Sequence, residues 1–365
     1  MNFPQLKQLF AERKEPSYRF DQVKRAFYVE LRQSWDEVTV LSKPLRDLCA
    51  ETIPWDPYSE VVRVQESKEG DTVKSLLACR KDGQKIEAVL MHHADERDTV
   101  CVSSQAGCAM ACTFCATGTM GLKRNLTSEE IIGQVIHYAR WLKPQERRVT
   151  NIVMMGMGEP FHNYDNVLEA IHTLNDGDGF NLGARRMSIS TCGIVPGILR
   201  LADEPLQVNL AISLHSAINS KRSKIMPVNN AYPLEKLRKA VWTYMEKTNR
   251  KVMFEYLLLK GINDSEEDAR ALAAWLGDDK RLIHVNLIKY HETEAYEGTG
   301  RPARISFLNM LLRLGVPATH RVTFGEDIDA ACGQLAINES QTGVVQGLQA
   351  VRASKADKTS SASHV

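Results

Sequence analysis

From about Thr150 onward, short apolar runs rich in β-branched residues alternate with longer stretches of helical period. The runs are NIVMMG from Asn151, RMSIST from Arg186, VNLAISLH from Val208, KVMFEYLLL from Lys251, IHVNLI from Ile283 and HRVTF from His320. Helical periodicity covers 128–141, 164–174, 233–247, 265–276 and 305–314, and several of these stretches open on Ser, Asp or Pro, as a helix start should. Strands separated by helix-length crossovers pair in parallel, so the pattern predicts an α/β fold, a barrel or partial barrel. In such folds the loops at the carboxyl ends of the strands converge on one open face, and that face collects the chemistry.

The first 85 or so residues read differently. Helical segments fall around 3–11, 20–34 and 42–49, followed by the strand-like VVRVQES and TVKSLLACR. We divide the chain into an accessory domain over 1–85, a catalytic domain over 86–340 and a disordered tail over 341–365, where small polar residues and lysines lack apolar periodicity. With 365 residues and 43% hydrophobic content the chain can bury a full core, which excludes a disordered or fibrous protein. No stretch approaches the roughly 18 uninterrupted apolar residues of a membrane span, so a soluble cytoplasmic protein is expected.

A net charge of +1 supplies no long-range field for a polyanion. Any RNA contact must use local patches: Lys123-Arg124, Arg147-Arg148, Arg185-Arg186, Lys221-Arg222-Ser223-Lys224 or Arg250-Lys251. For any single patch a solvated surface cluster is the favoured reading.

Eight cysteines are too few for a disulfide scaffold in a chain this long, but four of them fall between Cys101 and Cys115. Cys108, Cys112 and Cys115 form C-A-M-A-C-T-F-C, three thiols in eight residues, close enough to wrap one inorganic centre. A zinc site usually takes four protein ligands in two separated pairs. No second pair exists here, although Cys101 could serve as a fourth ligand. A cubane held by three thiolates keeps one iron open for a substrate or cofactor. This spacing, with Phe114 just before the last cysteine, resembles the cluster motif of the radical S-adenosylmethionine superfamily. The resemblance implies a 4Fe-4S cluster whose open iron binds S-adenosylmethionine.

After the run NIVMM comes Gly156-Met157-Gly158-Glu159-Pro160, where glycines allow close backbone approach and the Glu159 carboxylate could accept from an ammonium group. A tight turn is the bland alternative. The segment resembles the superfamily's glycine-rich stretch, which implies that Gly158 and Glu159 hold the methionine moiety; Ser190, Ser213, Leu214 and His215 resemble further cofactor contacts. Near the end, Cys332 stands in D-I-D-A-A-C-G-Q-L, either in a flexible loop at the barrel mouth or as a small buried cysteine.

Together, CVSSQAGCAMACTFCATG, GLKRNLT, MMGMGEP, SISTCGIVP, AISLH and DIDAACGQL closely resemble the RlmN/Cfr family of RNA adenine methyltransferases, nearer the RlmN branch. The match runs from about Glu87 to Leu335. It implies a radical-SAM partial (β/α)6 barrel with a small, mainly helical N-terminal accessory domain that docks RNA. It also implies methylation of carbon 2 of an adenine in 23S ribosomal RNA and in tRNA, with two S-adenosylmethionine molecules per turnover. Cfr-like methylation of carbon 8 is the alternative. By the same resemblance Cys332 carries the methyl group, Cys101 resolves the protein-RNA adduct through a disulfide and Glu87 accepts a proton. One more residue separates Glu87 from Cys101 than the family pattern has. His291 stands where the family usually has a cofactor-contacting Asn, and Cys192 carries no motif role. A reductase such as flavodoxin or ferredoxin, no membrane and a monomeric state complete what the family implies. Readings from other classes are an activase of glycyl-radical proteins, which would have no need of Cys332, and a non-catalytic iron-sulfur or zinc RNA-binding module.

Overall fold

The computed structural model describes residues 1–291 and 295–335; the tail expected over 341–365 lies outside them. Three helices come first, α1 (Phe3–Glu12), α2 (Tyr18–Tyr28) and α3 (Lys43–Thr52). They enclose an aromatic cluster in which Phe3 meets Phe20, Phe27 and Tyr28, and Trp35 meets Trp55 edge-on at 4.9 Å. The second helix stops earlier than its periodicity suggests. The amides of Val29 and Glu30 both close on the carbonyl of Arg25, and Leu31 adopts a left-handed φ of 54°.

The chain then enters β1 (Tyr58–Glu66), β2 (Thr72–Cys79), β3 (Lys85–His92) and β4 (Asp98–Cys101). These form an antiparallel meander. A small ribbon of β5 (Gln105–Gly107) and β6 (Leu122–Asn125) flanks the short helix α4 (Ala116–Thr119). Next comes α5 (Ser128–Leu142), which opens on a full capping box between Thr127 and Glu130. Strands and helices then alternate as β7 (Asn151–Met154), α6 (Tyr164–Asn175), β8 (Met187–Thr191), α7 (Val195–Leu201), β9 (Asn209–Ser213), α8 (Asn219–Ile225) and α9 (Leu234–Thr248). The series ends in β10 (Val252–Leu258), α10 (Glu266–Leu276), β11 (Ile283–Lys289), α11 (Arg301–Arg313) and β12 (Ala318–His320).

Ten strands make one sheet in the order β1-β2-β3-β4-β7-β8-β9-β10-β11-β12, and every pairing from β4 to β12 is parallel. The expected α/β architecture is therefore present, with two differences. First, the parallel series starts at Asp98–Cys101, a strand too short and mixed to register as an apolar run. Second, the last strand, Ala318–His320, ends where the run HRVTF begins. Helices α7 and α8, each of seven residues, are too short for periodicity to reveal. Helix α11 begins at Arg301, with Pro302 in its first turn, four residues ahead of the apolar periodicity. Among the described residues no helix is long and apolar enough to cross a membrane.

Helix α5 lies against the outer face of β2 and β3. The Tyr138 hydroxyl donates to the carbonyls of both Val73 and Ala88, and His137 Nε2 is 3.0 Å from Ser75 Oγ. The other face of these strands carries Lys74, Leu76, Glu87, Val89 and Met91 by the period of two, and it looks toward the strand ends where the chemistry gathers.

Burial, aided by the Arg140 guanidinium, lowers His137 from its ordinary value to about 4. The folded state keeps the neutral ring, so the stability it gains is fully present above about pH 6.5 and is lost as pH falls from there toward 4. In urea titrations, His137→Gln should flatten this part of the stability profile by about 1–2 kcal/mol relative to the wild-type slope. Parallel pH profiles for the two proteins would show the expectation wrong.

Candidate functional site

The cysteine segment is a loop clamped at its base. Cys108 N donates to Gly121 O at 3.2 Å where β5 meets β6, and Gly107 has a φ of +76°. A Cβ there would lie 1.9 Å from the Gly121 carbonyl oxygen, so the clamp closes only on glycine. Within the loop Cys115 N bonds Cys112 O, and outward bonds run from Thr113 N to Ile225 O and from Ala116 N to Gly333 O. Cys108, Cys112 and Cys115 all line one cavity at the carboxyl ends of the parallel strands. Burial pushes the Cys108 thiol up to about 11 and raises those of Cys112 and Cys115. Buried thiols in such a setting stay protonated until a soft cation takes the proton's place. Among the described residues no three His, Cys, Asp or Glu side chains converge on the position of a single ion, and Cys101 lies in a different cavity.

Gly158, Glu159, Ser190, Ser213 and His215 line the same cavity as the three thiols. Glu159 Oε1 accepts from Phe161 N at 3.0 Å and Oε2 from Cys192 N at 2.8 Å, so this carboxylate first of all staples the end of β7 to the end of β8. It retains lone pairs for a further donor. The Ser190 and Ser213 hydroxyls stand 3.5 Å apart. His215 adopts a left-handed φ of 57°, packs edge-on against Phe114 and accepts at Nδ1 from Leu257 N. Its burial lowers the ring to about 3, so it stays neutral across the physiological range. Leu214 is fully buried and does not line the cavity. Three soft donors, together with hydroxyl, carboxylate and imidazole groups in one cavity, fit a thiolate-bound iron-sulfur centre with a polar small molecule beside it.

Arg222, read from sequence as part of a surface patch, is instead wholly buried. Its guanidinium donates to the carbonyls of Leu214, Cys192 and Ser213 and to Asn229 Oδ1. It thereby ties the ends of β8 and β9 together. Its neighbour Lys221 pairs with the buried Asp268 at 2.8 Å. In other patches, too, a half-buried arginine is tied to partners within the chain. Arg124 bridges Asp82 and Glu130, Arg147 holds Asp98, and Arg250 donates to Gln207 O.

A second cavity opens beside the first. Val89, Met91, Cys101, His291, Arg321 and Cys332 line it, and Cys332, Met155, Ile288 and Arg321 line both cavities. Cys332 is half-buried in a loop, so it is neither a core cysteine nor free at the surface. Cys101, at the end of β4, is buried, which pushes its thiol up to about 12. All eight cysteines are free thiols, and no disulfide joins Cys101 to Cys332. His291 faces this second cavity rather than the thiol-lined one and lies 3.4 Å from Glu326. Glu87 is fully buried, with Lys74 Nζ 3.4 Å from its carboxylate. Val89, two residues beyond Glu87, pairs directly with Cys101 across β3 and β4.

Sequence reasoning missed Arg321 and Glu255. Arg321 Nη1 lies 3.4 Å from Glu255 Oε2, and Asn286 donates to the other oxygen at 2.9 Å. The Cys332 thiol, ahead of Glu255, raises the guanidinium above its ordinary value. The legible signal was a single glutamate inside the apolar run KVMFEYLLL, since a buried strand carboxylate demands a partner.

The model of the Radical SAM superfamily matches residues 102–273. The chain is 44% identical over 344 residues to a probable dual-specificity RNA methyltransferase RlmN of Staphylococcus aureus strain JH9, covering 93% of each protein, with the same figures for strain Newman. The crystal structure of a radical SAM methyltransferase from Sphaerobacter thermophilus superposes with a TM-score of 0.88 at 44% identity, covering 92% of this chain and 97% of that one. With this identity holding across nearly its whole length, the chain belongs to the RlmN-type radical SAM RNA methyltransferases.

Proposed function

We propose that this enzyme methylates carbon 2 of an adenine in 23S ribosomal RNA and in tRNA, using Cys332 as the methyl carrier. The observation that carries this reading is that Cys332 lines both the thiol-bearing cavity and the cavity that contains Cys101. One sulfur can then receive a group on one side and deliver it on the other.

Carbon 2 of adenine lies between two ring nitrogens and is electron-poor, so direct attack on a sulfonium methyl is closed to it. In this reading Cys108, Cys112 and Cys115 hold the 4Fe-4S cluster that the family implies, and Gly158, Glu159, Ser190, Ser213 and His215 surround S-adenosylmethionine. When bound, cluster and cofactor supply reductive cleavage to a carbon radical. The chain's own residues do the rest. Cys332 carries the one-carbon unit as a thioether and is joined through it to the base. Glu87 takes the proton from carbon 2, and the single electron that radical addition leaves on the base would return to the bound cluster. The Cys101 sulfur, as thiolate, then attacks the Cys332 sulfur, forming an S–S bond as the electron pair of the S–C bond passes to the product carbon, which takes up a proton, and external thiols restore both cysteines. Arg321 lines the second cavity together with both cysteines. The accessory domain over 1–85 docks RNA, and a flavodoxin or ferredoxin supplies electrons. Methylation of carbon 8 is the second reading; the RlmN-named relatives favour carbon 2.

Mass spectrometry of RNA nucleosides after incubation with reconstituted enzyme should find 2-methyladenosine; 8-methyladenosine would reverse the regiochemistry. Cys332→Ala should abolish methyl transfer with an intact cluster spectrum, and full activity in that variant would remove the carrier role. Cys101→Ala should trap a covalent protein-RNA species, visible as a gel shift. For Glu87→Gln, turnover should fall about 10²–10⁴-fold with RNA affinity retained, and a smaller loss would relieve Glu87 of the proton-acceptor role.

A further inference from the structure

The segment carrying Cys332 is fastened to the N-terminal meander, and one fastening passes through a charged side chain. Asp327 Oδ2 accepts from Lys68 N at 2.9 Å in the connection between β1 and β2. Gly325 packs against Thr72, where a Cβ would approach Thr72 Cγ2 to 2.7 Å, and its φ of +60° also favours glycine. Between these contacts and the cysteine, Lys74 Nζ donates to the carbonyl of Asp329 at 3.1 Å. The same ammonium lies 3.4 Å from Glu87 Oε1, and the Arg63 guanidinium stands on that oxygen at 3.9 Å.

Lys74 is only 3% exposed. A buried ammonium is costly unless it is paired and hydrogen-bonded, and here the Asp329 carbonyl accepts one donor while the Glu87 carboxylate, 3.4 Å away, supplies the opposite charge. Lysine elsewhere on a strand would keep its charge in water. At this position a single cation spans two pieces of the chain far apart in sequence: the strand bearing Glu87 and the loop that reaches Cys332 three residues later. On the far side of Cys332 the loop is pinned again by Ala116 N to Gly333 O at 2.8 Å, so the methyl-carrying residue is suspended between Lys74 and the cysteine loop.

We propose that Lys74 is a positioning residue that ties the Glu87 carboxylate to the Cys332 segment, holding proton acceptor and methyl carrier in register about the same base. This rests on the carrier and acceptor roles proposed above, but the tie itself is geometric. A neutral side chain of similar length would remove the ammonium from Glu87 and its hydrogen bond from the carbonyl of Asp329. Arginine would preserve the charge and the donors.

Lys74→Met and Lys74→Arg in the reconstituted enzyme test this. Turnover of Lys74→Met should fall tenfold or more with KM for RNA within about twofold, and the covalent protein-RNA species should accumulate, because proton removal is slowed while carriage is not. Hydrogen exchange of the amides over 325–333 should accelerate about tenfold, while β9, β10 and β11 keep wild-type protection as a control for folding. Lys74→Arg should recover most of both. Unchanged turnover in Lys74→Met overturns the proposal, as does slow turnover without adduct and without faster exchange over 325–333. If instead Cys332→Ala proves fully active, the methyl-carrier reading falls, yet the exchange difference in Lys74→Met would persist, so the two failures are separable.

Discussion

Parallel pairing from β4 through β12 is the constraint on which the rest of this molecule depends. Each strand must be followed by a crossover that returns the chain to the same end, so every strand finishes on the same side. Cys101, Gly158, Ser190, Ser213 and Arg321 come from five different strands or the turns just beyond them, yet they face two adjoining cavities. None of these residues is near another in sequence. Their assembly is a product of the pairing direction alone.

Converging strand ends also bring backbone groups that lack ladder partners into a buried region, where each unsatisfied group would cost about 1–3 kcal/mol. Two ionised side chains answer that need. Glu159 receives the amides of Phe161 and Cys192, and Arg222 donates to the carbonyls of Cys192, Ser213 and Leu214. The residue between them, Cys192, thus gives its amide to an anion and its carbonyl to a cation. Replacing either partner singly would leave a buried charge and several orphaned main-chain groups. This explains why a glutamate and an arginine are buried beside a site whose own chemistry turns on sulfur.

The final loop completes the enclosure. Residues 325–335 run across the meander to the cysteine loop, fixed by Lys68, Thr72 and Lys74 at one end and by Ala116 and Thr117 at the other. Cys332 therefore belongs to both cavities, although the loop itself has little regular structure. The meander, for its part, is continuous with the parallel sheet and supplies Glu87, Lys74, Val89 and Met91 to the same face as Cys101.

Much of this was written in local sequence. The alternation of apolar runs with helical periods dictated the α/β sheet, because side-chain periods of two and 3.6 are properties of the backbone itself. The spacing of Cys108, Cys112 and Cys115 marked the thiol loop, since three residues of one chemistry within one turn of chain need no fold to bring them together. The first parallel strand, Asp98–Cys101, stayed hidden because four residues carry too little pattern. Arg222 looked like surface because a basic run reads the same whether its cations meet water or carbonyls. Only tertiary structure could bury Glu87, bring Lys74 to it and to the Asp329 carbonyl, and set Cys332 between two cavities. The tie from Lys74 to Asp329 joins residues 255 positions apart, and long-range contact is decided by how the sheet closes and what it must bury.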